Sequence, residues 1–225
     1  MKKSKTESSI QKAINKLEKK LNIVLDLDNT IILCEVVKKE HREVVDKEIR
    51  SGNRHRLLTS FEDDMYVSYI YERPYLKYFL LSVHDNYNIY IYTNAHITYY
   101  NYVIEGLVKK YPFLHISGFS AKQNITETNI KCLNWIKIYT GYMINYGFLQ
   151  NTIILDDRHD VWPLNLDNLL KIKPWENIDD HTDNVLLLVT DILLNLKNEF
   201  EKKLKNKSMY SVHFLLDKIK SNNNI

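Results

Sequence analysis

The chain has 225 residues, of which 44% are hydrophobic and 26% charged, a composition typical of one globular domain. Its 5 glycines and 4 prolines exclude a linker-rich or fibrous chain, and no apolar run approaches the roughly 20 residues that a membrane span needs. The net charge of +3 is too small to indicate nucleic-acid binding by itself. The 2 cysteines, Cys34 and Cys132, are too few for a disulfide framework, which fits a reducing compartment.

The first half of the chain predicts two buried strands and a polar excursion between them. Residues 22–27, NIVLDL, form a short apolar run that ends in acids, which is typical of a parallel strand with chemistry at its carboxyl end. The other predicted elements are a basic amphipathic helix over 1–21, a flap or hairpin over 31–64, a strand over 65–71 and a helix from Arg73-Pro74 to about 83.

The second half alternates strands with helices, which predicts an α/β fold with a central parallel sheet. We expect one domain over 22–205, with a separate helix or tail over 206–225. The predicted elements are strands at 88–92, 114–119, 152–155 and 169–172, and helices at 96–110, 127–146, 183–205 and 210–220.

Polar side chains follow three of the predicted strands. Asp26 and Asp28 end the first, Thr93 follows the second, and Asp156-Asp157 ends another. Ligands of open α/β sheets bind at this edge, so we expect these side chains to share one site. Carboxylates held this close need a cation, and an oxygen-only ligand set indicates Mg²⁺. Such a site suits phosphoryl transfer, although a DD pair before a helix is also a common N-cap.

Three blocks of sequence resemble one family in the same order along the chain. LDLDNT is similar to the D-x-D-x-T/V signature of the haloacid-dehalogenase superfamily. ERPYLKYFL with NIYIYTNAHITYYNYVI, and then IILDDRHDVWPLNLDNLLKIKPW, resemble FCP/SCP-type phosphatases, which act on the carboxy-terminal domain (CTD) of RNA polymerase II. The resemblance covers roughly residues 22–176. It implies a three-layer Rossmann-like fold with a flap insertion after the first strand.

The resemblance also implies roles for the acidic residues. Asp26 is expected to be the nucleophile and a Mg²⁺ ligand. Asp28 is expected to be the general acid/base, with its backbone carbonyl on the metal. Asp157 is expected to be the third protein ligand, and Thr30 to brace the loop.

The remaining implied roles concern the phosphate and its surroundings. Thr93 is expected to bind the transferring phosphate, together with a lysine that Asp156 orients. Lys131 is the nearest match to the family's lysine, and Lys122 is the alternative. Arg158 is expected to support the site, either at the substrate phosphate or paired with a carboxylate. At position 75, Tyr75 stands where the family usually has glycine after Arg-Pro.

We therefore expect a Mg²⁺-dependent protein serine/threonine phosphatase that forms an aspartyl-phosphate. Its expected partner is a phosphoprotein, either the RNA polymerase II CTD or a viral structural protein, with no membrane and no direct nucleic-acid ligand. The resemblance favours a nuclear location, with the cytoplasm as the alternative. Two other functions stay open. One is a phosphatase of small molecules or nucleic-acid ends, and the other is an assembly protein that keeps the fold.

Overall fold

The computed structural model of the protein describes residues 20–123, 128–138, 146–205 and 211–223. The helix predicted over 1–21 lies outside these residues except for its last two, and Leu21 already begins the first strand. The division of the chain at 22 and 205 stays a prediction. None of the helices within the described ranges is long and apolar enough to cross a membrane.

The chain alternates strands and helices around an insertion near its start. The strands are β1 (Leu21–Leu25), β2 (Ile32–Lys38), β3 (Leu57–Glu62), β4 (Tyr66–Glu72), β5 (Tyr87–His96), β6 (Ile116–Lys122), β7 (Lys137–Ile138), β8 (Thr152–Asp156) and β9 (Leu169–Lys171). The helices are α1 (Arg42–Arg50), α2 (Leu76–His84), α3 (Ile97–Lys110), α4 (Tyr146–Gln150), α5 (Val185–Lys205) and α6 (Val212–Asn223).

The main sheet has six strands in the order β7-β6-β5-β1-β8-β9, and all except β7 run parallel. This arrangement confirms the predicted α/β fold with a central parallel sheet. Both faces of β1 are buried, since Ile23 and Leu25 pack in the larger apolar core and Val24 packs in a second core on the opposite face. A parallel strand that is covered on both faces reads as a continuous apolar run.

The register of the sheet brings the ends of β1 and β8 level with the middle of β5, which continues to His96. Leu25 at the end of β1 pairs with Ile91 of β5 and with Leu155 of β8. The backbone N–H of Asp26 then donates to the Leu155 carbonyl at 3.0 Å. Asp26 after β1, Thr93 within β5 and Asp156 at the end of β8 are therefore neighbours, as the sequence pattern predicts.

The insertion is a second sheet of three antiparallel strands in the order β2-β4-β3, with α1 between β2 and β3. It docks on α3, where Gly106 leaves room for Thr59, because a β-carbon at Gly106 would lie 2.9 Å from the Thr59 Cβ. The rings of Phe61 and Tyr102 stack at a centroid distance of 4.6 Å in the same contact. The insertion is thereby a fixed part of the fold.

The strand predicted over 65–71 is confirmed as β4, but it belongs to the sheet of the insertion, and one predicted element, the helix over 127–146, is wrong. The insertion extends past residue 64 to the end of β4, which pairs with β2 and β3. The sequence does not predict this extension, because the apolar alternation of β4 does not reveal which strand β4 pairs with. The helix predicted over 127–146 is replaced, over 128–138, by an extended segment, a 3₁₀ turn at Leu133–Trp135 and the short strand β7. Residues 139–145 lie outside the described ranges.

Tyr75 adopts a φ of 64° immediately before α2, a conformation that costs a residue with a β-carbon on the order of 1 kcal/mol. Its side chain is 48% exposed and contributes little packing. We expect Tyr75→Gly to raise the free energy of unfolding by about 0.5–1 kcal/mol in urea titrations. The control is Tyr75→Ala, which keeps the β-carbon. Equal stability of the glycine and alanine variants would contradict this account.

Candidate active site

The segment that follows β1 is a tight turn that presents Asp26 and Asp28 at the sheet edge. The Leu27 carbonyl accepts from the backbone N–H groups of Thr30, Ile31 and Ile32 at 3.2, 2.9 and 3.1 Å. Asn29 takes a φ of 60°, which asparagine tolerates better than most residues. We call residues 26–32 the catalytic loop, after the role proposed below.

Lys131 lies between two of the predicted aspartates. Its Nζ donates to Asp26 Oδ1 at 2.5 Å and to Asp156 Oδ2 at 2.7 Å, and all three side chains are buried. The Tyr92 carbonyl lies 3.4 Å from the same nitrogen. The ammonium group therefore compensates the two most deeply buried carboxylates of the site.

Lys131 reaches this position from an extended segment rather than from the predicted helix. Its backbone N–H donates to the Val161 carbonyl at 2.6 Å, and the next N–H, of Cys132, is within 3.2 Å of the Tyr92 hydroxyl. The alternative, Lys122, points elsewhere, since its Nζ donates to Asn129 Oδ1 at 2.6 Å. Of the two predicted lysines, the structure brings only Lys131 to the aspartates.

Asp156 is held on both of its oxygens. Oδ1 accepts from the backbone N–H of Arg158 at 2.8 Å, and Oδ2 accepts from Trp162 Nε1 at 2.8 Å in addition to Lys131. The indole of Trp162 also lies under the ammonium group, with its ring 5.6 Å from Nζ. This geometry fits the predicted orienting role of Asp156.

Three carboxylates are close enough to share one cation. One oxygen each of Asp26, Asp156 and Asp157 lies within 4.8 Å of the others. Asp157 is fixed to the catalytic loop, because the Thr30 hydroxyl donates to its Oδ1 at 3.0 Å and its own N–H donates back to that hydroxyl at 3.1 Å. Thr30 thus braces the loop and a predicted metal ligand together.

Asp28 stands apart from this cluster, and its Oδ1 accepts a short hydrogen bond from the Tyr99 hydroxyl.

The two remaining predicted site residues, Thr93 and Arg158, flank the site. Thr93 is buried in β5, and its Oγ1 accepts from the Ala95 N–H at 3.0 Å. The exposed Arg158 directs its guanidinium to Asp160, which is the carboxylate-pairing alternative.

The electrostatics of the site reflect its burial and its excess of negative charge. Burial raises the pKa of Asp26 to about 7, although Lys131 pulls that pKa down. Burial also raises the pKa of Asp28 and that of Asp157, against the hydrogen bonds from Tyr99 and Thr30. For Lys131, burial lowers the pKa, but the carboxylates of Asp26 and Asp156 outweigh it, so that pKa is raised.

The sequence reasoning missed the roles of Tyr99 and Trp162. Tyr99 is one of three tyrosines on α3, and the helical spacing predicts only core or surface packing for them. Trp162, predicted as packing, donates to Asp156. The one available signal in the sequence was that Trp162 lies six residues after Asp156, which ends a predicted strand.

Comparison with known proteins confirms the family resemblance. Residues 21–205 match the profile of the NLI interacting factor-like phosphatase family. The CTD phosphatase-like protein 355R of Invertebrate iridescent virus 6 is 30% identical over 188 residues, which cover 76% of this chain and 96% of the relative. Nuclear envelope morphology protein 1 of Saccharomyces cerevisiae is 24% identical over 182 residues, and the match spans only 39% of that relative.

Two solved structures share the fold. The structure of Fcp1, an essential RNA polymerase II CTD phosphatase, aligns with a TM-score of 0.71 at 19% identity and covers 94% of this chain and 74% of that one. The fission yeast Fcp1 structure with beryllium fluoride aligns with a TM-score of 0.66 at 20% identity, covering 96% and 74%. These structures confirm the predicted haloacid-dehalogenase-like architecture.

The raised pKa of Asp26 predicts a pH-dependent stability. A carboxyl whose folded pKa lies above its unfolded value of 3.8 contributes stability below pH 4 that is lost as the pH rises through about 7. In EDTA, we therefore expect Asp26→Asn to match the wild type near pH 4 and to exceed its free energy of unfolding by a few kcal/mol, in order of magnitude, near pH 8.

Urea titrations across that pH range provide the measurement. The control is Asp191→Asn, an exposed position on α5 that should leave the pH profile unchanged. A constant difference between wild type and Asp26→Asn at all pH values would show that burial does not shift this carboxyl.

Proposed function

The chain belongs to the NLI interacting factor-like phosphatase family and is a phosphatase of the haloacid-dehalogenase type, and on that premise we propose that it is a Mg²⁺-dependent protein serine/threonine phosphatase. The observation that carries the proposal is the buried contact of Lys131 with Asp26 and Asp156, beside Asp157 and Asp28. This arrangement supplies a nucleophile in Asp26, an ammonium group for the phosphate in Lys131 and a separate acid in Asp28.

Asp26 is the proposed nucleophile. One of its carboxylate oxygens attacks the phosphorus of a phosphoserine, and the bond from phosphorus to the serine oxygen breaks as the aspartyl-phosphate forms. Lys131, already at Asp26, offers its N–H donors to the phosphate oxygens. Thr93, in the neighbouring strand β5, offers a hydroxyl to the same group.

Asp28 is the proposed general acid and base. It protonates the departing serine oxygen, then takes a proton from the water that attacks the aspartyl-phosphate and releases inorganic phosphate. Its raised pKa favours the protonated form that the first step needs. The hydrogen bond from Tyr99 fixes Asp28 Oδ1, which leaves Oδ2 as the oxygen that transfers the proton.

The acidic cluster fits a hard divalent cation. Three carboxylates share a site of less than 5 Å span with the single ammonium group of Lys131, so the two positive charges of a divalent cation would balance them. Asp26 and Asp157 would hold it, together with the Asp28 carbonyl. When bound, Mg²⁺ neutralises the phosphate oxygens. Asp156 is left as the residue that orients Lys131, because both its oxygens already accept hydrogen bonds.

The insertion supports a polypeptide substrate. Strand β2 begins at the end of the catalytic loop, and Val36 on it lies opposite Ser68 of β4. Val36 is 60% exposed, and Tyr66, two residues before Ser68 on the same face, is also exposed. An apolar strip beside the site suits a peptide segment that flanks a phosphorylated serine. The RNA polymerase II CTD and a viral structural protein remain the proposed candidates, in the nucleus or the cytoplasm.

We expect p-nitrophenyl phosphate hydrolysis to require Mg²⁺, to stop in EDTA and to fall at least about 1,000-fold in Asp26→Asn, since the nucleophile is lost. The isosteric Asp191→Asn on the exposed surface of α5 is the matched control and should retain wild-type rates. Near-wild-type turnover by Asp26→Asn would refute the mechanism. Metal-independent turnover would refute the role of the acidic cluster.

We expect phosphoserine and phosphothreonine peptides to exceed sugar phosphates and 3′-phosphorylated oligonucleotides by about 100-fold in kcat/KM, because the peptide adds contacts remote from the phosphate. The panel is measured by phosphate release. Introducing a charge at the exposed strip, Val36→Asp, should lower this ratio while leaving p-nitrophenyl phosphate hydrolysis unchanged. A preference for the small phosphates would favour the alternative small-molecule function.

A further inference from the structure

Arg73 is a buried arginine with every donor engaged. It lies between β4 and α2, its side chain is fully buried, and it is 1% exposed as a residue. A guanidinium group has five N–H donors. Nε and Nη2 bind the two oxygens of Asp183 at 3.0 and 2.7 Å, which is a bidentate pair, and Nη2 also binds the Lys173 carbonyl at 2.8 Å.

The remaining nitrogen of Arg73 binds the catalytic loop itself. Nη1 donates to the Thr30 carbonyl at 3.0 Å and to the Asn29 carbonyl at 3.3 Å. The backbone N–H of Arg73 donates to the Ile31 carbonyl at 3.0 Å, and the Trp175 N–H donates to the Asn29 carbonyl at 2.8 Å. Three successive carbonyls of the loop are therefore held from outside the loop.

These contacts lead directly to the reacting groups. Thr30, whose carbonyl Arg73 holds, carries the hydroxyl that binds Asp157. Asn29, with its left-handed backbone, is adjacent to Asp28. Asp183 lies just before α5, and its Oδ1 also accepts from the Val185 N–H at 3.3 Å. One guanidinium thus joins the catalytic loop, the segment after β9 and the start of α5.

We propose that Arg73 is a positioning residue for the phosphatase reaction, and that Asp183 is the counter-ion that holds it in place. The inference rests on the proposed function for the identity of the reacting groups. In this role, the guanidinium of Arg73 fixes the loop carbonyls so that Asp26, Asp28 and Asp157 keep the separation that the reaction needs. A displacement near 1 Å in such a group can cost about 100-fold in rate.

The competing explanation is that Arg73 only stabilises the fold, as a buried ion pair whose disruption is strongly destabilising. The two explanations can be distinguished because lysine has fewer N–H donors than arginine. Lysine has three donors on one nitrogen and no second arm, so it can pair with a carboxylate but cannot also hold both loop carbonyls. Lengthening the acid in the same variant restores the reach of the pair without restoring those donors.

The experiment compares Arg73→Lys, the double variant Arg73→Lys with Asp183→Glu, and the control Tyr87→Phe. Tyr87 is buried, and its hydroxyl donates to the Leu193 carbonyl of α5 at 2.5 Å, so the control loosens α5 without touching the loop. For each protein we would measure Tm, kcat and KM for p-nitrophenyl phosphate with Mg²⁺ well below Tm, and hydrogen exchange of the Thr30, Ile31 and Ile32 amides.

We expect Arg73→Lys to lose Tm, and the double variant to recover most of that loss. The kcat of the double variant should stay reduced by about 10- to 100-fold with KM little changed, and its loop amides should exchange faster. Tyr87→Phe should lose Tm but keep its kcat and its loop protection. If Arg73→Lys fails to fold, the kcat and the loop-amide exchange of the double variant, compared with those of the wild type, distinguish the two explanations.

Recovery of kcat and of loop protection along with Tm in the double variant would overturn the proposal, because the loop carbonyls would then not need the guanidinium. A wild type without Mg²⁺-dependent turnover would instead count against the proposed function. The exchange of the loop amides would still decide whether Arg73 holds the loop, because that readout does not depend on catalysis.

Discussion

The site depends on gathering four carboxylates at one buried sheet edge against mutual repulsion. Lys131 is central to this balance, because its ammonium group contacts both Asp26 and Asp156 at the ends of adjacent strands. Without it, two charges in a low-dielectric setting would face each other unpaired, at a cost of several kcal/mol. Burial nevertheless keeps the pKa values of Asp26, Asp28 and Asp157 raised, and the neighbouring carboxylates raise them further. A site in this condition is suited to bind a further cation and an anionic phosphate together.

The fold holds the catalytic loop from several sides. The parallel sheet sets the level of the strand ends, and the register of β1 with β5 and β8 places Asp26 beside Asp156. The insertion begins where the loop ends and is docked on α3 through the contact of Gly106 with Thr59. Helix α3 in turn carries Tyr99, which binds Asp28. The insertion and α3, which lie outside the main sheet, therefore constrain Asp28 and the loop that carries Asp26.

The local sequence pattern was sufficient to predict the sheet and the convergence of several of its polar residues. Each core strand is an apolar run that ends in a polar residue, and this pattern predicts the convergence of Asp26, Thr93 and Asp156. Lys131 was predicted by resemblance, but on a helix that the structure replaces with an extended segment, because the backbone there is fixed by long-range bonds such as Lys131 N–H to the Val161 carbonyl. Short-range periodicity carries no information on such contacts.

The parts that could not be predicted all depend on non-local pairing. Nothing in the alternation of β4 shows that it pairs with β2 and β3 rather than with the main sheet. The bond from Arg73 to Asp183 joins residues 110 positions apart, and neither residue has a local pattern that would identify its partner. Tyr99 likewise differs from the neighbouring tyrosines of α3 only by the direction it faces in the folded protein.

We propose that Asp26 forms a covalent phosphoryl intermediate that Asp28 then helps to hydrolyse. The direct measurement is rapid mixing of Asp28→Asn with p-nitrophenyl phosphate and Mg²⁺, followed by mass spectrometry of the peptide that contains Asp26. We expect a stoichiometric burst of p-nitrophenol and a hydroxylamine-labile phosphoryl adduct on Asp26, because the second step lacks its base. A folded Asp28→Asn protein that turns over steadily with no burst and no adduct on Asp26 would contradict this proposal.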